Sequence, residues 1–269
     1  MIAGLRFLKG HGTENDFVLL PDPQGALELT PELVRRLCDR RAGLGADGVL
    51  RVVPSAFVPD AAPFADEATW FMDHRNADGS LAEMCGNGVR VYARYLVDAG
   101  LQRPGSLRLA TRGGIKQVEV TPGDGPISVD MGPAVVGEDV DVDGVLATSV
   151  DMGNPHAVLP VASVAGLGEL VTSRLDLNVE YVEDVSPTAI RMRVHERGVG
   201  ETRSCGTGAC AAVVATSLRT GTPRGTAYDV EVPGGALTVT WREDDHVVLT
   251  GPAVLLAEGT VSATWLRQG

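Results

Sequence analysis

The sequence predicts an α+β fold built as two similar halves, and three observations carry that expectation. First, MCGNGVRVYARYL around Cys85 and SCGTGACAAVVATSL around Cys205 each set a cysteine directly before a Gly-x-Gly turn that opens a helix. Second, glycine landmarks recur behind both: Gly114 and Gly132 follow Cys85 by 29 and 47 residues, and Gly235 and Gly251 follow Cys205 by 30 and 46. A repeat of about 120 residues is the size of a domain rather than of a solenoid unit. Third, the rest of the chain reads as short β-rich runs bounded by Gly, Pro and Asp, and 33 glycines with 16 prolines suit many strands joined by tight turns. The predicted halves are residues 1–129 and 130–257, with a C-terminal stretch of about 258–269 packing back on the first.

Taken in order, the first half offers strand-like runs in LRFLKGHG, NDFVLLP, DGVLRVVP, TWFMDHRN, SLRLATRG and IKQVEVTP. The second offers SVDMGNPHAVLPV, AIRMRVHERG, DVEVPGG, ALTVTWRE, HVVLTGPAVLL and GTVSATW. β-Branched residues and turn-forming boundaries make these mainly antiparallel sheet. TPELVRRLCDRRAG predicts a helix capped by Thr30, with Pro31 at its first position and Leu33, Leu37 and Cys38 as its apolar stripe. The helix after Cys85 carries Val89, Tyr92, Ala93 and Leu96 at helical spacing, so a sheet wrapped round it is the economical packing. Residues 54–70, rich in Ala, Pro and Asp, read as a variable surface excursion.

Composition narrows the function. A net charge of −12 disfavours nucleic acid as a partner. The N-terminus lacks a leader-like apolar run and no apolar stretch reaches membrane-spanning length, so the chain reads as soluble and cytoplasmic. Four cysteines without a C-x-x-C pair, and five scattered histidines, argue against a disulfide framework or a metal site.

The paired cysteines point to acid/base chemistry. A helix start is electropositive and rich in N–H donors, and its dipole is worth at most about 2 kcal/mol, enough to bring a thiol from about 8.5 toward 7. One such cysteine reads as a packing residue, which is how Cys38 and Cys210 are read; a matched second copy suggests two groups that take and return a proton. Asn76 stands nine residues before Cys85, and Glu196 nine before Cys205.

The strings KGHGTENDFVLLPD, RRAGLGADGV, RNADGSLAEMCGNGVRVYARYL, VDMGNPHAVLP, NVEYV and VHERGVGETRSCGTGAC span nearly the whole chain. In content and order they resemble the diaminopimelate epimerases. That resemblance implies two pseudo-symmetric domains, each a mixed sheet round a central helix. It also implies inversion of a diaminopimelate carbon between the LL and meso forms, on the route to lysine and peptidoglycan precursors, with no pyridoxal phosphate, other cofactor or metal. It implies Cys85 and Cys205 as the catalytic thiols, facing each other across the substrate. It implies Gly86, Asn87, Gly206 and Thr207 as holders of the α-carboxylate, and His156 and Glu196 as supporting groups. Asn15, Asn76, Asn154 and Asn178 would be polar substrate contacts, Glu196 would accept from the α-ammonium, and Arg197 would meet the distal carboxylate. A homodimer is implied as well. Glu14 departs from the family's usual glycine, and Leu81 stands where an acidic residue is common. Two alternatives remain beside this reading: a proline racemase or hydroxyproline epimerase with the same two-thiol logic, and a non-catalytic thiol redox switch.

Overall fold

A computed structural model of the chain describes residues 4–267. Residues 1–3 and 268–269 of the predicted halves and tail lie outside the described residues. Two compact units are present. One contains the residues through Gly12, Asp16–Ile127 and the stretch from Ala253 onward; the other contains Thr13–Asn15 and Ser128–Pro252.

The first unit opens with β1 (Leu5–Gly12), β2 (Asn15–Pro21) and α1 (Pro31–Cys38), followed by β3 (Gly48–Pro54) and β4 (Trp70–Asn76). It continues through α2 (Gly86–Asp98), β5 (Gly105–Thr111) and β6 (Gly114–Val120). Its pairings alternate: β2 runs parallel to β3, β3 antiparallel to β4, β4 parallel to β5 and β5 antiparallel to β6.

β7 (Ile127–Pro133) leads from Ile127 of the first unit into the second, where β8 (Val135–Val136), β9 (Val140–Val142), β10 (Val145–Asp151), β11 (Pro155–Pro160), β12 (Asn178–Ser186), β13 (Ala189–Glu196) and β14 (Gly200–Thr202) precede α3 (Gly206–Thr220). After it come β15 (Ala227–Val232), β16 (Gly235–Trp241) and β17 (His246–Gly251). The same alternation recurs: β11 parallel to β12, β12 antiparallel to β13, β13 parallel to β15 and β15 antiparallel to β16. The chain is thus an α+β protein with one mixed ladder built twice. Last, β18 (Val254–Val261) pairs antiparallel with β1, ahead of the single-turn helix α4 (Ala263–Leu266).

Each ladder surrounds its helix. α2 touches β1, β3, β4, β6 and β18, and α3 touches β10 to β13, β16 and β17. The predicted stripe of Val89, Tyr92, Ala93 and Leu96 is fully buried, each large side chain contributing roughly 1.5–3 kcal/mol. Burial extends right round the helix, however, taking in Arg90 and Arg94. The Arg94 guanidinium donates from Nη2 to the carbonyl of Gly125 at 2.8 Å, and the Tyr92 hydroxyl donates to that of Phe71 at 2.8 Å. α3 reaches the same enclosure with small residues, and Gly221 closes it at φ 69°, a left-handed cap.

Several local expectations are corrected. On α1, Thr30 does cap the helix, but the buried stripe is Val34, Leu37 and Cys38, with Leu33 only half-buried. Residues 149–161 form two strands, since Gly153 at φ 93° turns β10 back into β11. Residues 246–256 are also two strands: Pro252 has no N–H for a ladder and separates β17 from β18. GTVSATW is strand only to Val261, after which Ser262 caps α4. β7, β8, β9, β12 and β14 are strands beyond those the pattern predicts. The 54–70 excursion is anchored: two short 3₁₀ turns bury Val58 and Ala61 against Val53, Ala68, Phe71 and Ala110.

Candidate active site

Both landmark cysteines are helix caps. Cys85 precedes α2 in extended geometry (φ −146°, ψ 119°), and its Sγ accepts from the Gly88 N–H at 3.4 Å. Cys205 precedes α3 in the same way (φ −122°, ψ 116°), accepting from Gly208 N–H at 3.4 Å. A sulfur standing where Ser or Asp usually caps directs a nucleophilic or basic atom at the electropositive end of a buried helix.

In the first unit, Gly86 and Asn87 form the buried first turn of α2. Asn76 ends β4, exposed, its amide donating to Ser80 Oγ at 3.0 Å. Beneath the turn, Leu50 Cδ2 and Phe17 Cζ lie 3.5 Å from where a Gly88 side chain would begin.

The second unit gathers more of the expected residues. The β11–β12 register pairs His156 with Asn178, and Val179 pairs with His195 one residue before Glu196. His156 is fully buried, with Nδ1 2.6 Å from Glu180 Oε1 and Nε2 3.1 Å from Asn154 Oδ1. Asn178 spends its amide on backbone, donating to the Pro155 carbonyl at 3.0 Å and accepting from Arg197 N–H at 3.0 Å. It therefore ties the turn bearing Asn154 to the turn bearing Arg197. The Arg197 side chain is exposed and makes no ion pair among the described residues. Glu196 accepts a short hydrogen bond from the Thr202 hydroxyl across the β13–β14 hairpin. Thr207 Oγ1 lies 3.4 Å from Cys205 Sγ, and Gly206 is buried beside it.

Asn15 belongs to this second unit through the tight turn that precedes it. Thr13 and Glu14 both adopt left-handed backbone, at φ 49° and 62°. Thr13 Oγ1 meets Ser204 Oγ at 2.6 Å, and Arg203 pairs with Glu14. Gly234 is required here, because a side chain would start 1.9 Å from the Thr13 carbonyl oxygen.

Electrostatics corrects one expectation. Rather than being drawn toward 7 by its helix, the Cys205 thiol is pushed well above its ordinary value, first by burial and then by the Glu196 and Glu180 carboxylates. The Thr207 hydroxyl and Gly208 N–H pull the other way and lose. Burial and the two carboxylates thus favour the protonated thiol at Cys205. Burial also raises Cys38, to about 11, in the apolar cluster beneath α1, and Cys210 is buried within α3.

Glu180 and Thr202 touch the expected residues His156 and Glu196, and Thr13 meets Ser204 beside Cys205; the sequence pattern singles out none of the four. Glu180 had a usable signal: in a strand it shares a face with Asn178 and Val182, so a carboxylate stands on an otherwise inward-facing stripe.

Comparison with known proteins gives a consistent result. The family model described as diaminopimelate epimerase matches residues 7–137 and 148–256. A diaminopimelate epimerase from Streptomyces coelicolor is 52% identical, with 99% of each chain covered. One from Thermobifida fusca is 48% identical, over 98% of this chain and 100% of its own. Among solved structures, a phenazine biosynthesis protein from Bacillus anthracis has a TM-score of 0.73 at 15% identity, covering 97% of this chain and 100% of that one. A hydroxyproline epimerase from Agrobacterium vitis has a TM-score of 0.71 at 14% identity, covering 97% and 93%. These two share the fold.

Proposed function

The chain belongs to the diaminopimelate epimerase family, and on that premise we propose that it interconverts LL- and meso-diaminopimelate with Cys85 and Cys205 as its two acid/base groups. The observation that carries the reading is the matched pair of cysteine caps, each with Sγ 3.4 Å from the N–H three residues on. The α-proton of an amino acid is a very weak acid, so the released electron pair must pass into the α-carboxylate. N–H groups at Gly86–Asn87 and Gly206–Thr207 would receive the charge that develops there.

The proton balance closes with two thiols. A thiolate takes the α-proton, forming S–H as C–H breaks; the second thiol gives its proton to the opposite face of the carbanion, and the inverted product leaves thiol and thiolate exchanged. Burial and the nearby carboxylates favour the thiol at Cys205, which supports assigning it as the donor on the first turnover. Glu196 accepts from the α-ammonium, with His156 as a neighbouring support. Asn15, Asn76, Asn154 and Asn178 hold the polar groups of the substrate, and Arg197 meets its distal carboxylate. A cytoplasmic homodimer serving lysine and peptidoglycan precursor synthesis completes the reading; sedimentation velocity tests the dimer.

Incubation in D₂O tests the chemistry. Wild-type protein should incorporate deuterium at the α-carbon of diaminopimelate, and Cys85→Ser and Cys205→Ser should each lose about 10²–10⁴-fold in epimerisation. Absence of incorporation, or full epimerase activity in both variants, would overturn the proposal.

A further inference from the structure

The two cysteine caps occupy equivalent positions on a duplicated ladder, yet what lies beneath them differs. In the first unit Phe17 pairs with Gly48, and Leu50 pairs with His74 two residues before Asn76. In the second, His156 pairs with Asn178, and Glu180 pairs with Val194 two residues before Glu196. The register therefore equates Phe17 with His156 and Leu50 with Glu180. An apolar pair underlies the Cys85 helix start, and a carboxylate with an imidazole underlies that of Cys205.

Glu180 is expensive to bury and is held in a specific way. It has no solvent exposure, and Oε1 lies 2.6 Å both from His156 Nδ1 and from the point where a Gly208 side chain would begin. Glycine at 208 thus makes room for the carboxylate against the first turn of α3. Oε2 is buried with no hydrogen-bond partner among the described residues. A buried carboxylate left half-satisfied costs stability, and the first unit places leucine, Leu50, at the equivalent position.

We propose that Glu180 is a positioning residue for the second helix start: it holds His156 through its Nδ1–H and sets a buried carboxylate against the first turn of α3 beside Cys205, where the first unit sets Leu50. A carboxylate oxygen can only accept, so the imidazole carries a proton on Nδ1; Nε2 lies 3.1 Å from Asn154 Oδ1, which accepts from it when the ring is doubly protonated. The groups facing Cys205 are Glu196 from β13, Glu180 from β12 and the Thr207 hydroxyl, with His156 of β11 reached through Glu180. The carboxylates oppose formation of the thiolate. In catalysis, which rests on the epimerase reading above, this readies Cys205 to donate.

The test needs no substrate, so it stands apart from the success of that reading. In a Cys85→Ser background, where the other cap thiol cannot couple, the pH profile of iodoacetamide alkylation is mapped by mass spectrometry at each cysteine. Glu180→Gln keeps an oxygen for His156 Nδ1–H and removes the charge, with an NH2 group in place of Oε2. Cys205 should then alkylate about tenfold faster at pH 7, the change in thiolate for one pH unit. Glu180→Asp should restore most of the wild-type profile, and Cys210, deeper in the same helix, should stay protected. An unchanged Cys205 profile, or a rise shared by Cys210, would overturn the proposal. Independently of any variant, ¹⁵N NMR of the wild-type protein should find His156 protonated at Nδ1; a neutral ring protonated at Nε2 would sink it.

Discussion

Glu14 carries a conformation that its side chain disfavours. Left-handed backbone costs a non-glycine residue about 1–2 kcal/mol, and the exposed ion pair to Arg203 returns little of it. Allowing for the greater freedom of an unfolded glycine, Glu14→Gly should stabilise the chain by about 1 kcal/mol in urea unfolding. His74 has the opposite character. Its ring is buried, and burial reinforced by the Arg112 guanidinium lowers it from 6.5 to about 4. As pH falls through this window the unfolded chain takes up a proton that the folded chain refuses, so stability falls, by roughly 3 kcal/mol at the limit. His74→Leu should flatten that slope between pH 6.5 and 4 in urea titrations, leaving stability near pH 7 little changed. Cys205 shows the same competition settled by neighbours: a helix start acts over one turn, whereas burial and two carboxylates act together.

At the scale of elements, the helix starts are one device made from different materials. α2 fills its enclosure with Tyr92, Leu96 and two buried arginines, α3 with Ala, Val and Thr, and both keep cysteine at the cap and glycine three residues on. These caps were legible in the sequence because capping, helical spacing and Gly-x-Gly turns are local. The splitting of residues 246–256 was not, since Gly251–Pro252 separates strands that join different units, and strand membership depends on distant partners. The turn at Thr13–Asn15 rests on a similarly distant contact. Gly234→Ala would drive a methyl into the Thr13 carbonyl, and backbone there has little room to yield. A loss of at least about 2 kcal/mol is expected by thermal unfolding, with weakened binding of any substrate that needs Asn15.

For the whole molecule, the last strand matters more than its position suggests. β18 pairs with β1 over nearly its full length, Val261 joins the cluster of Val34, Leu37 and Val49, and the Trp265 ring lies 4.2 Å beneath the Arg36 guanidinium. A chain ending at Ala253 leaves β1 an open edge and uncovers that cluster. Limited proteolysis should then cut within residues 16–127 under conditions that leave the full-length chain intact. Equal protection of the two chains would contradict this account of the first unit.

The sequence by itself determined that one domain-sized pattern is written twice, that each copy buries a helix, and that each helix begins at a cysteine. Spacing, propensity and turn chemistry are short-range, and they repeat with the repeat. Tertiary structure alone decided what stands under each cap. Leu50 and Phe17 in one ladder, Glu180 and His156 in the other, reach their places through register between strands distant in the chain, and it is this register that sets apolar side chains beneath one cap and a carboxylate with an imidazole beneath the other.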